Sequence, residues 1–121
     1  MHPRLRLWLF LGICFLILNS AYVASYAEPT LFYASNVFAH LAAGAAVGLA
    51  LLWAAWRERR AQPLISLVAF LDLLLALVSG GLILYFGGTR PYAVLVLLHG
   101  VLGAGAILAV VFAWRAWSGL Q

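Results

Sequence analysis

Four long apolar runs, separated by three short polar breaks, limit this chain more than any other feature. The runs cover approximately residues 5–26, 31–56, 63–86 and 91–117. Each reaches the ~20 residues that an α-helix needs to cross a hydrocarbon core about 30 Å thick. None alternates apolar and polar residues, which excludes a transmembrane β-barrel. Backbone N–H and C=O groups in lipid must be satisfied within the protein, and an unalternating run does that only as a helix. The breaks are Ala27-Glu28-Pro29-Thr30, Arg57-Glu58-Arg59-Arg60-Ala61-Gln62 and Gly87-Gly88-Thr89-Arg90. They are short enough to make successive helices antiparallel neighbours. The expected fold is all-α: a single integral membrane four-helix bundle over residues 1–121. Composition agrees, with 67% hydrophobic and 8% charged residues, against about a quarter charged in soluble domains.

A second pattern is superimposed on the first. At an offset of 59, Ser20 falls on Ser79, Tyr26 on Tyr85, Thr30 on Thr89 and Tyr33 on Tyr92. His40 then falls on His99, Gly44 on Gly103 and Ala45 on Ala104. Matches of Leu and Ala mean little in so apolar a chain, but Ser, Tyr, Thr, His and Gly in one register mean more. Self-similarity at a fixed period is a fold-level signal. It predicts two tandem αα-hairpin repeats, each with one membrane-embedded histidine.

Arginine predicts the orientation, since the chain has no lysine. Arg4 and Arg6 precede the first run, Arg57, Arg59 and Arg60 lie between the second and third, and Arg115 is near the end. The opposite side has Arg90, set against Glu28. The positive-inside rule then puts both termini in the cytoplasm, in an inner (cytoplasmic) membrane. Trp8, Trp53, Trp56, Trp114 and Trp117 fall at that same face, as an aromatic belt would. The net charge of +4 is therefore a topology signal and not a nucleic-acid footprint. The basic, apolar N-terminus has some features of a secretory signal peptide. Its apolar stretch exceeds the usual ~7–15 residues, and the repeat needs the first run as counterpart of the third, so an uncleaved helix is expected. Cys14 is the single cysteine, which excludes an internal disulfide and a Cys-x-x-Cys-His haem attachment.

His40 and His99 lie on helices that run in the same direction. His40 is seventeen residues before Arg57 and His99 sixteen before Arg115. At about 1.5 Å per residue the two imidazoles share one height, toward the outer face. Two such histidines form a ready pair of axial ligands. Gly44 and Gly103 sit at i+4, one turn away on the same face, where glycine leaves room for a flat macrocycle. Gly48 extends the strip on the second helix, and Gly105 lies nearby on the fourth. Tyr33 and Tyr92 at i−7, with Thr30, Thr89 and Arg90 beyond, offer donors and a cation to anionic propionates. Each feature also has an ordinary reading: helix bonding for the histidines, close packing for the glycines, interfacial anchoring for the tyrosines.

With these residues the chain resembles the small four-helix b-type cytochromes of membranes. The resemblance implies bis-histidine ligation of haem b by His40 and His99, with Gly44 and Gly103 facing the ring. Di-haem members need two histidine pairs, and His2 is the only other histidine, so one haem is expected. Bis-histidine iron has no open position and suits electron transfer rather than oxygen chemistry. The expectation is an electron-transfer subunit in the lipid bilayer, not an enzyme by itself. It would exchange electrons with a quinol or with membrane or periplasmic redox subunits of a larger complex.

Asp72, in the third run, fits none of this. A lone carboxylate at that depth is costly. Asn19 and Ser66 are its expected polar partners. A proton or quinone role competes with a structural or subunit contact. Three other classes remain open: a pigment-binding subunit, a small proton-coupled transporter using Asp72, and a cofactor-free structural subunit.

Overall fold

Each apolar run folds as one helix. The computed structural model describes residues 3–26, 30–60, 63–87 and 90–118. The helices are α1 (Pro3–Ser25), α2 (Leu31–Glu58), α3 (Pro63–Phe86) and α4 (Ala93–Ser118). They contain 23, 28, 24 and 26 residues. At 1.5 Å per residue these are about 34–42 Å long, more than a hydrocarbon core requires. All four are long and apolar enough to cross a membrane. The expectation for α3 matches to the residue. The fourth helix begins at Ala93 and not at Pro91, because Arg90–Tyr92 forms a single 3₁₀ turn. Pro91 has no N–H to donate and a fixed φ, so it suits a tight entry turn better than a helix interior.

Local chemistry sets the helix ends. Thr30 caps α2: its Oγ1 accepts the Tyr33 N–H at 3.1 Å while its carbonyl accepts the Ala34 N–H at 3.0 Å. That satisfies donors which the first helical turn leaves open. Gly87 ends α3 with φ 84° and donates its N–H to the Ile83 carbonyl at 2.8 Å. Few residues other than glycine take that left-handed conformation without strain. Beyond α2, Arg59 donates to the Trp56 carbonyl at 2.6 Å and lies 3.5 Å from the Trp56 ring centroid. Arg57 covers Trp53 at 5.3 Å. A cation at a helix C-terminus meets the negative end of the dipole, and cation–π contact fixes it over the indole.

The chain forms two compact units, Met1–Ala50 and Leu51–Gln121. The division falls within α2, two turns before its end. The short break brings the end of α2 beside the start of α3, where Trp56 and Phe70 rings lie 5.8 Å apart.

In the first unit α1 and the N-terminal part of α2 form an antiparallel hairpin. Contacts step along it in opposite directions. Val47 meets Gly12, Leu16 meets Gly44, Ser20 meets His40 and Tyr22 meets Phe32. In the second unit α3 packs along α4. Buried positions recur at intervals of three and four: Ser66, Ala69 and Leu73 on α3, Ala106, Val110 and Ala113 on α4. Small residues at this spacing let two backbones approach, which is how helices associate where lipid removes the hydrophobic drive. Large apolar side chains point outward instead, including Leu18 at 73%, Leu31 at 89% and Leu64 at 72% exposure. Acyl chains are their natural solvent.

Gly12 marks a close approach in the first unit, since a Cβ there would lie 2.6 Å from Val47 Cγ2. Gly12→Ala is expected to cost about 1–3 kcal/mol as an overpacked contact. Gly81, with nothing within 4 Å of its built Cβ, is the control. Unfolding of the detergent-solubilised protein in a denaturant series would measure both. Equal stability of the two alanine variants would show that α1 and α2 do not meet at Gly12.

Candidate functional site

Polar side chains are scarce in these helices, so each polar contact stands out. His99 on α4 turns its Nδ1 toward α3. That nitrogen lies 3.0 Å from the Ala76 carbonyl oxygen and 3.1 Å from Ser79 Oγ. Ser79 Oγ in turn donates to the Ala76 carbonyl at 2.9 Å. A carbonyl oxygen can only accept. A proton therefore resides on His99 Nδ1, which donates to Ala76 and Ser79; in the neutral ring that tautomer leaves the lone pair on Nε2. Histidines that bind metals are oriented this way, by a second hydrogen bond to a carbonyl or carboxylate. The ring lies across Gly80: a Cβ there would be 3.0 Å from His99 Cε1. Ser79 is buried and His99 half-buried.

The first hairpin holds His40 by the same ring edge. His40 Nδ1 lies 3.3 Å from Ser20 Oγ. In each hairpin the serine precedes its histidine by twenty residues. His40 too is half-buried.

The other expected site residues are placed as follows. Gly44 is half-buried, and its built Cβ meets only Leu16 Cδ2 at 3.9 Å, an ordinary contact. Gly103 is half-buried with nothing within 4 Å. Room therefore exists one turn from His99, and nearly as much one turn from His40. Gly48 is buried. Gly105, near Gly103 on α4, faces Asp72: a Cβ there would lie 2.8 Å from Asp72 Oδ2. Tyr33 is half-buried in the first turn of α2. Tyr92 is more exposed, lies in the 3₁₀ turn and packs its ring tilted against Phe86, centroids 5.2 Å apart. The two tyrosines share a register in sequence but not a local structure. Arg90 opens the same turn and is exposed. Thr30 is engaged as a cap. Thr89, Glu28 and His2 lie outside the described residues.

The expected partners of Asp72 are engaged otherwise or not at all. Asn19 donates through Nδ2 to Asn36 Oδ1 at 2.9 Å, and Asn36 Nδ2 donates to the Phe32 carbonyl at 2.8 Å. Ser66 is buried and its Oγ has no hydrogen-bond partner. Asp72 itself is half-buried and has no hydrogen-bond or ion-pair partner among the described residues. No group of three or more His, Cys, Asp or Glu side chains among those residues could hold a metal ion.

Sequence reasoning missed four contributors, one of them the Ala76 carbonyl. Ser20 and Ser79 match at the offset of 59, but nothing in one sequence says which way they point. Gly80 was visible only as half of a Gly-Gly pair inside an apolar helix.

The histidine geometry makes a spectroscopic prediction. Nitrogen-15 spectra of histidine-labelled protein in lipid should show His99 as the Nδ1–H tautomer. Ser79→Ala should keep that tautomer, because Ala76 still accepts, while losing about 1 kcal/mol of stability with the serine bond. A His99 protonated on Nε2 alone would refute the assignment. No known family model matches the chain, and no curated protein or solved structure does either, so the functional reading rests on its own residues.

Proposed function

We propose that this chain is a membrane electron-transfer subunit of the b-type cytochrome kind, with His40 and His99 supplying axial imidazoles to one haem b. The observation that supports this most is the His99 anchor. A Nδ1–H held by Ala76 and Ser79 directs the lone pair to Nε2, the nitrogen an axial ligand would use. Ser20 engages the same edge of His40. The open space at Gly103 and the slack at Gly44 suit a flat ring beside each histidine.

Haem b so held would supply one-electron redox chemistry without an open coordination position. The chain's own residues would do the rest. Ser79 and Ala76 hold the His99 ring proton on Nδ1, and Ser20 engages Nδ1 of His40, so that both imidazoles are oriented. Tyr33, Tyr92 and Arg90 offer hydroxyl donors and a guanidinium to propionates. The surrounding apolar helices exclude water. The tandem hairpin repeat belongs to this reading as well. Its support is the matching Ser–His spacing in the two hairpins. The arginine pattern favours N-in/C-in topology in an inner membrane, with electron exchange toward a quinol or a periplasmic redox subunit.

Purified protein should show the low-spin spectrum of bis-histidine haem in a reduced-minus-oxidised measurement. His40→Ala and His99→Ala should each lose most of the haem, and the double variant should be little worse, because paired ligands act as a unit. Gly103→Leu is the sharper probe: a Cβ there meets nothing within 4 Å, so the variant is expected to fold yet bind less haem, with helicity by circular dichroism as the check on folding. Colourless wild-type protein, a chlorophyll-type spectrum, or one histidine variant with an unchanged low-spin spectrum would end this reading.

Orientation has its own test. A reporter fused after Gln121 should be active on the cytoplasmic side. Periplasmic activity would reverse the topology.

A further inference from the structure

We propose that the Asp72 carboxyl, seated against Gly105 in the α3–α4 seam, is a reversible proton-binding site within the membrane. This goes beyond the haem reading and does not depend on it. Three observations carry it. First, α4 is notched where Asp72 meets it: a side chain at position 105 would begin 2.8 Å from Oδ2, inside contact distance. Glycine there gives the carboxyl its seat. Second, the carboxyl has no hydrogen-bond or ion-pair partner among the described residues, although a membrane carboxylate without one is costly. Third, no cationic side chain lies near it along either helix of the seam. Asp72 is the only charged residue of α3. On α4 the titratable groups are His99, six residues from Gly105, and Arg115, ten residues away. Those spacings are about 9 and 15 Å along the axis.

The ligand class follows from what the site lacks. A sodium, magnesium or calcium ion needs several oxygen ligands, and among the described residues no group of three or more acidic, histidine or cysteine side chains forms a metal site. A proton needs one oxygen. It neutralises the carboxylate and turns it into a donor. The seat is also well placed along α3. Ala76, whose carbonyl accepts the His99 ring proton, is one turn from Asp72 on the same face. The seam thus carries a proton-accepting group and an anchored imidazole in sequence along its length.

A hydrophobic carbodiimide tests this, because it attacks a carboxyl only in its protonated form and from an apolar phase. Purified full-length protein in liposomes is treated with dicyclohexylcarbodiimide across a pH series, and the adduct is located by peptide mass spectrometry. The expected result is an adduct on Asp72, absent in Asp72→Asn, whose rate falls about tenfold per pH unit above a midpoint. The wild-type pH profile stands even if the variant folds poorly. No adduct at any pH, an adduct confined to Glu28 or Glu58, or a rate indifferent to pH would overturn the proposal. Protection by sodium at constant pH would overturn it too, by assigning the seat to a metal cation. The haem spectrum is recorded on the same samples. Labelling of a colourless protein would sustain the proton site while removing the haem reading, and a haem spectrum without labelling would do the reverse.

Discussion

Everything in this chain depends on keeping backbone hydrogen bonds inside each helix. Lipid offers no substitute for a lost peptide bond partner, so the segment between two breaks must be helical from end to end. That is why α3 can carry Gly80 and Gly81 in its interior without breaking, although glycine there would cost about 1 kcal/mol in water. It also explains why the ends are so explicitly capped. Thr30, Gly87 and Arg59 each satisfy a terminal group that bulk water would otherwise serve only part of the time.

Once the backbone is satisfied, few polar side chains remain, and they decide which helix faces meet. In the first hairpin Asn19–Asn36 and Ser20–His40 fix the rotation of α1 against α2. In the second, Ser79 and Ala76 fix His99. Hydrogen bonds between membrane helices are worth roughly 0.6–2 kcal/mol each, too little to drive association alone. Their effect is to select one face from several that are equally apolar.

The same arithmetic explains what could be read from the sequence. Helix number, length and most boundaries were legible, because they follow from where apolar runs stop. Pro91 misled by two residues, since proline suits both a first helical turn and a 3₁₀ entry. Rotation was not legible. A helix apolar all round has no stripe to mark its buried face, so the contact of Asp72 with Gly105 could not be told from one with Asn19 or Ser66. For the candidate site, the histidines and their glycines were visible as matches at an offset of 59. Their anchors were not legible as anchors: the Ala76 carbonyl has no sequence signature, and Ser79, although it matches Ser20 at that offset, could equally have bonded only its own backbone, as Ser35 does with Leu31.

The α3–α4 seam shows how structural and chemical demands are kept apart along one interface. Toward the start of α3 and the end of α4 the buried positions are Ser66, Ala69, Val110 and Ala113. They are small, they permit close approach, and they offer almost nothing to titrate. Further along come Asp72 beside Gly105 and then Ser79 and Gly80 around His99. Here each polar group is matched by a glycine on the facing helix, so the seam stays close without expelling the side chain into lipid. A leucine at either glycine would force the helices apart or the polar group outward. The small-residue half supplies the packing, and it is this packing that lets the other half hold an imidazole and a carboxyl at membrane depth.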